Sequence, residues 1–220
     1  MNTVQKLRVK VIIFDFDGVI VESFDIKTKA FAILFESEGE IAVRKIIEYH
    51  TRNGGVSRYE KFKYIYENIL KQPLTELKFQ QLCKKFSDLV VDEVVSSSYV
   101  RGAKEFLEEH AELYRCFIAT GTPQEEIEEI VRKRNIGHYF KGIYGAPIKK
   151  LDIVKKIINK EKITPSEAIY IGDALSDYEA AKINSVTFIA RAGTKDSLFA
   201  DISCLKIEDL TLLHKIIEKL

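Results

Sequence analysis

The sequence predicts an α/β protein: a parallel sheet with helices on both faces and an all-helical insertion after the first strand. Three observations carry this. From Cys116 onward, short apolar runs alternate with helix-period segments, the pattern of βαβ units. A charged stretch from about Asp25 to Val95 shows helical periodicity and no convincing strand. The chain has 220 residues, more than one minimal domain and fewer than two full ones. The expected division is a core of residues 1–18 and 97–220 and an inserted helical domain of residues 19–96.

Val9 to Phe14 is a β-branched run that reads as a buried strand, ending at Asp15-Phe16-Asp17-Gly18, where the glycine marks a turn. In the insertion, Phe31, Leu34 and Phe35 mark one helical face. Phe62, Ile65, Tyr66 and Ile69 mark a second, and Leu82, Phe86, Leu89 and Val90 a third. Asn53-Gly54-Gly55 reads as a loop and Gln72-Pro73 as a turn. Past Ser96-Ser97-Ser98, strands are expected at Cys116 to Ala119, near Gly142 to Tyr144, at Ala168 to Ile171 and at Val186 to Ile189. Helices are expected from Pro123 to about Arg134, from about Leu151 to Lys160, through Ala181, and from Asp209. Thr122-Pro123-Gln124-Glu125, Thr164-Pro165-Ser166-Glu167 and Ser176-Asp177-Tyr178-Glu179 fit capping boxes, two with proline at the first helical position. The first and third directly follow strands. They should therefore set free N–H groups beside the carboxyl edge of the sheet, where ligands of open α/β sheets bind.

Hydrophobic residues at 46% and charged residues at 30% indicate a globular chain rather than a disordered one. The formal net charge of +1 gives no general attraction to nucleic acid or to an anionic membrane. Cys83, Cys116 and Cys204 are widely spaced and fit neither a disulfide framework nor a zinc site. No apolar run approaches the roughly 20 residues that span a bilayer. The first apolar run ends in Asp15 and Asp17, unlike a secretory leader. The expectation is a cytoplasmic protein with a small-molecule partner, its oligomeric state left open.

Asp15 and Asp17 stand at the end of one apolar strand, Asp173 and Asp177 at the end of another. Acidic residues in strand-ending turns are common, and Asp177 alone also fits a solvated acid at a helix N-terminus. Four carboxylates on one sheet edge nevertheless repel unless a cation lies among them. Oxygen-only donors suit a hard octahedral ion, Mg²⁺ above all. Thr120-Gly121-Thr122 and Lys149-Lys150 supply a hydroxyl, backbone N–H groups and an ammonium, the parts of a phosphate cradle.

In order along the chain, Asp15-x-Asp17-Gly18, a strand ending in Thr120, a lysine and Gly172-Asp173-x-x-x-Asp177 resemble the four motifs of the haloacid-dehalogenase superfamily. The helical stretch between the first two resembles the cap of its phosphoglycolate-phosphatase-like branch. The resemblance implies a Rossmann-like core with Asp15 as nucleophile, forming an aspartyl-phosphate, and Asp17 as general acid and then base. It implies Mg²⁺ held by the Asp15 carboxylate, the Asp17 backbone carbonyl and Asp173. Phosphoryl oxygens would be bound by Thr120 and the lysine, with Gly18, Gly121 and Thr122 around them. Asp177 would orient the lysine or a metal-bound water. Lys150 fits the family's G-x-P-x-x-K form from Gly145 and Pro147, with Lys149 as the alternative.

An acid at Asp17 is similar to phosphatases and mutases rather than to dehalogenating or phosphonate-cleaving members, and the D-K-T-G of cation pumps is absent. The implied function is a Mg²⁺-dependent phosphatase of a small soluble phosphate monoester. The alternatives are a phosphosugar mutase of the same fold or a catalytically inactive binding or signalling protein. One departure is Glu22-Ser23, where many relatives read Asp-Ser. In the loop from Thr51 to Arg58, Arg52 and Arg58 are candidates to bind a carboxylate or second phosphate on the leaving group. The alternative is a solvated loop in which Arg58 pairs with Glu60. The histidines, His50 included, show no ligand spacing, and most are expected at the surface or the core edge.

Overall fold

A computed structural model describes residues 9–192 and 198–220. Residues 1–8 and 193–197 of the expected core lie outside the described residues. The six strands are β1 (Val11–Phe14), β2 (Arg115–Pro123), β3 (Phe140–Ala146), β4 (Ala168–Gly172), β5 (Thr187–Arg191) and β6 (Leu205–Ile207). They form one sheet in the order β3-β2-β1-β4-β5-β6, and every pairing is parallel. The chain winds outward from β1 through β2 and β3, then returns to lay β4 on the other side of β1. That reversal opens a crevice at the carboxyl ends of β1, β2 and β4.

Burial on both faces explains the continuous apolar runs of the central strands. In β1 the pleat sends Val11 and Ile13 to one core and Ile12 and Phe14 to the other. The first core is covered by α7 (Lys150–Glu161) and α8 (Leu175–Ile183), through residues such as Ile153, Ile157 and Ala181. The second is covered by α5 (Ala103–His110), α6 (Gln124–Lys133) and α9 (Leu213–Ile217), through Phe106, Ile130 and Leu213. The strand β6 was not expected. It is three residues long and two of them are exposed, so it carries no alternating pattern. The last helix starts at Leu213 rather than Asp209, because Asp209 instead accepts hydrogen bonds from the Thr211 backbone and hydroxyl.

Between β1 and α5 lie α1 (Phe24–Leu34), α2 (Glu40–Arg52), α3 (Arg58–Tyr64, continuing as a π-helical turn Ile65–Leu70) and α4 (Glu76–Ser96). Phe31, Phe35, Phe62 and Phe86 pack together at their centre, with the Phe31 and Phe86 rings 4.8 Å apart edge to face. The two connections to the core run side by side. Val21 bridges Tyr99, and the Glu22 N–H donates to the Ser98 carbonyl at 2.9 Å.

The expected caps form differently. Pro123, not Thr122, is the N-cap of α6, because β2 runs on through Pro123 and the Thr122 hydroxyl is bound elsewhere. The Thr164 box is present but caps one 3₁₀ turn (Pro165–Glu167) before β4. Helix α8 is capped at Ala174 instead of Ser176, with Asp177 at its third position reaching back to the Ala174 N–H at 3.1 Å.

Candidate active site

Asp15 follows β1 and continues its ladder, its N–H donating to the Ile171 carbonyl of β4 at 2.9 Å. Its side chain is buried, with Oδ1 accepting from the Phe16 N–H at 2.8 Å and Oδ2 3.0 Å from Lys150 Nζ. Gly18 makes the turn with φ at +77°, and a Cβ there would lie 2.0 Å from Asp173 Oδ2. Only glycine allows the first turn and the Asp173 carboxylate to approach this closely. The turn does separate the first two acids. Asp17 Oδ1 accepts from Ser23 Oγ at 2.6 Å, and its Oδ2 accepts from Thr122 Oγ1 at 2.9 Å and pairs with Lys27. Ser23 therefore supports Asp17, while Glu22, the residue that departs from the family pattern, pairs with Arg191 at 2.7 Å.

Lys150 is the buried lysine of the pair. Its Nζ bridges Asp15 Oδ2 at 3.0 Å and Asp177 Oδ1 at 2.7 Å. Lys149 is exposed, 3.8 Å from Glu60. Asp177 is fully buried rather than solvated, and it also accepts from Tyr170 Oη at 2.7 Å. Thr120 is buried at the end of β2, its hydroxyl accepting from the Thr122 N–H at 3.2 Å. The Asp15, Asp17, Thr120, Lys150, Asp173 and Asp177 side chains thus gather at one sheet edge.

The electrostatics follow from burial. Desolvation pushes Asp15 up to about 7, with Asp177 and Asp17 adding and Lys150 opposing. Asp173 is pushed well above the ordinary carboxylate value by burial and by its neighbours Asp15 and Asp177. Burial acts on Asp17 in the same direction, but the Lys27 ammonium and the hydrogen bonds from Lys27, Ser23 and Thr122 outweigh it and hold Asp17 low. Burial alone would lower Lys150, yet Asp15 and Asp177 keep it above the usual lysine value and so charged.

Three of these acids, Asp15, Asp173 and Asp177, bring carboxylate oxygens within 4.8 Å of one another. Their free valences differ. Both Asp177 oxygens are engaged by Lys150, Tyr170 and the Ala174 N–H. No hydrogen-bond donor among the described residues reaches Asp173, although it stands beside Asp15. Two crowded carboxylates, one without a donor, are the oxygen set that fits a divalent cation.

The loop from Asn53 to Ser57 reaches this edge with its backbone. A Cβ on Gly121 would lie 2.5 Å from the Gly55 carbonyl, and one on Gly55 would lie 2.8 Å from Lys150 Nζ. The two expected arginines do not accompany it. Arg52 ends α2, points to solvent and pairs with Glu48 one turn back at 2.7 Å. Arg58 is buried, held by Glu126 of α6 and by Ser87 of α4 at 2.9 Å, with its guanidinium 4.3 Å from the Phe86 ring centre. Neither lines the site, because each is already satisfied by a carboxylate elsewhere; nor does Arg58 pair with Glu60.

Other basic residues do line it. A cavity of about 50 Å³ is bounded by Asp15, Asp17 and Asp173 on one side and by Lys27, His50 and Lys61 on the other. His50 is buried between Phe24 and Phe31, with ring centres 5.4 and 4.5 Å away. Its Nδ1 is 2.9 Å from Lys61 Nζ. A signal for these residues exists in the sequence. His50 completes the stripe Val43, Ile46, Ile47, and Lys61 sits in the stripe Arg58, Phe62, Ile65. Basic groups on an otherwise apolar helical face are either paired or functional.

The model of the haloacid dehalogenase-like hydrolase family matches residues 12–191. A phosphorylated carbohydrates phosphatase from Thermotoga maritima is 26% identical over 180 residues, covering 78% of this chain and 79% of that protein. The fold is similar to that of a "predicted phosphoglycolate phosphatase" from Haemophilus somnus, with a TM-score of 0.72, 18% identity and coverage of 95% of this chain and 98% of that one. It is also similar to a β-phosphoglucomutase from Clostridium difficile, with a TM-score of 0.75, 18% identity and coverage of 96% and 97%. With the family model spanning most of its length and the four motifs gathered at one sheet edge, the chain belongs to the haloacid dehalogenase-like hydrolases, as an enzyme of the phosphatase kind.

Proposed function

We propose that this hydrolase is a Mg²⁺-dependent phosphatase that cleaves a small soluble phosphate monoester through an aspartyl-phosphate on Asp15. The observation that carries the reading is the Asp15 carboxylate bridged to the buried Lys150 while the neighbouring Asp173 carboxylate has no donor among the described residues. Asp15, Asp173 and the Asp17 backbone carbonyl would hold the cation, which supplies charge neutralisation for the phosphoryl oxygens. Lys150 and the Thr120 hydroxyl would bind those oxygens, and Asp177 positions Lys150. Asp15 Oδ attacks phosphorus, displacing the ester oxygen and leaving the phosphoryl group on the carboxylate. Splitting the displacement this way replaces one difficult step by two easier ones.

Asp17 rests as a carboxylate beside Lys27, the form required to take a proton from the hydrolytic water. Its protonation of the leaving alkoxide in the first step requires it to gain a proton against the pull of Lys27. Residues 19–96 act as the cap in this reading, and the seating of Gly55 against Gly121 and Lys150 is the closed arrangement that keeps bulk water out.

The test is phosphate release from a panel of sugar phosphates, phosphoglycolate and nucleotides, with Mg²⁺ and with a chelator. Release that stops with chelator and returns with excess Mg²⁺ supports the proposal. Isomer interconversion without net phosphate release would assign the mutase reaction instead.

A further inference from the structure

Lys61 is a buried lysine whose protonated form has no counter-ion among the described residues. It is 3% exposed, and no carboxylate among the described residues lies within ion-pair distance. Its hydrogen-bond partners are both on one residue, His50 Nδ1 at 2.9 Å and the His50 carbonyl at 3.4 Å. A buried cation is costly unless paired, so this arrangement is incomplete on its own. An ammonium has three N–H groups, and His50 accounts for two of them.

His50 is incomplete in a matching way. Because its Nδ1 accepts from Lys61, the neutral ring carries its proton on Nε2. That nitrogen is buried and has no hydrogen-bond partner among the described residues. Aromatic packing and Lys61 hold the ring neutral: burial and the neighbouring charge lower it to about 2. His50 and Lys61 therefore leave two unspent donors, one N–H of each, and both residues line the cavity that holds Asp15, Asp17 and Asp173. The core wall of that cavity is acidic and the insertion wall is basic. The acidic wall, with a cation and Lys150, serves the transferred phosphoryl group. The basic wall faces what is attached to it.

We infer that Lys61 and His50 form a leaving-group subsite that selects phosphate esters carrying a second anionic oxygen group, a carboxylate or a further phosphate, a few bonds from the ester oxygen. This rests on the phosphatase reading of the same site and relocates leaving-group recognition from the arginines to this pair. Gly55, Val56 and Gly121 line both this cavity and a neighbouring one of about 260 Å³ that includes Thr120 and Lys150, so the basic pair stands beside the phosphoryl-binding residues. Phe24, stacked on His50, closes the side with an apolar surface that keeps the ion pair dry and hence strong.

The experiment compares matched esters on the purified full chain with Mg²⁺. Phosphoglycolate is set against hydroxyethyl phosphate, and propanediol bisphosphate against hydroxypropyl phosphate, so that the two arms separate carboxylate from phosphate recognition. The quantity read is the ratio of kcat/KM within each pair. The wild type is expected to favour the anionic member of at least one pair by about 10-fold or more, and Lys61→Met to shrink that ratio by about 10- to 100-fold, the range of a charge-assisted hydrogen bond. Lys61→Arg should restore part of it. Lys61→Gln provides the same comparison should Lys61→Met fail to fold. A wild type that turns over both members equally well, or a ratio unchanged within about 2-fold in the variants, overturns the inference while leaving a phosphatase. If no ester releases phosphate, the phosphatase reading fails separately. Calorimetric affinities of the same four compounds then decide the subsite by the same ratio.

Discussion

Replacing Arg58 by methionine should destabilise the protein by about 3–5 kcal/mol, the usual cost of stranding one partner of a buried ion pair. The Arg58 and Glu126 side chains are 5% and 6% exposed, so water does little to screen them. The guanidinium grips Glu126 through both terminal nitrogens, with Nη1 2.8 Å from Oε2, and shares Ser87, whose hydroxyl donates to Glu126 at 2.5 Å. Without Arg58, Glu126 keeps one neutral donor for a buried charge, and Phe86 loses the planar group stacked 4.3 Å away. Arg58→Met combined with Glu126→Gln removes both charges. The double variant should therefore recover about 2 kcal/mol or more relative to the sum of the single variants. Because Arg58 is on α3 and Glu126 on α6, the pair ties the helical insertion to the sheet layer. Urea unfolding of the four proteins of this cycle measures the coupling. Single variants that each lose less than about 1 kcal/mol and simply add would instead mark a solvated surface pair.

The remaining predictions concern the site. Asp15→Asn should abolish Mg²⁺-dependent phosphate release, whereas Asp17→Asn should retain a residue of activity about 10²- to 10⁴-fold below wild type, measurable as steady-state kcat. Gly18→Ala places a methyl 2.0 Å from Asp173 Oδ2 at a positive φ. It should weaken Mg²⁺ activation by more than 10-fold and cost about 1–3 kcal/mol in stability, both read from metal titration and melting of the same preparation. Lys61 is lowered to about 7 by burial and by Lys27 and Lys150. Between that value and the ordinary 10.5 the unfolded chain holds a proton that the folded one lacks, so stability rises with pH across this window. The rise from this group amounts to at most about 5 kcal/mol. Urea unfolding at pH 7 and pH 9.5 should show a smaller difference in Lys61→Met than in wild type. Equal differences would contradict the burial of that charge.

Much of the site was legible because parallel winding puts every strand's carboxyl end on one edge. Once Val11–Phe14, Arg115–Pro123 and Ala168–Gly172 are strands, the residues that end or follow them converge without further information. Lys150 was legible for a related reason: it opens α7, directly after the turn that follows β3. Helix caps were less legible. The Thr122 hydroxyl suits a capping box locally, but the partly buried Asp17 carboxylate offers it a stronger bond. Competition of that kind involves a residue 105 positions away and leaves no trace in a four-residue pattern.

Local patterning suffices for the fold class, the helical stretch after the first strand and the acidic edge, because apolar strand runs, helix-period apolar faces and strand-end polarity are local properties. Only the tertiary structure decided which basic residues face that edge. Arg58, Lys61 and His50 all lie on apolar helical stripes, and nothing local separates them. Glu126 of a distant helix neutralises Arg58, whereas Lys61 and His50 meet no carboxylate among the described residues. A buried charge is defined by its partners, and partners are supplied by packing between elements rather than by the order of residues within one.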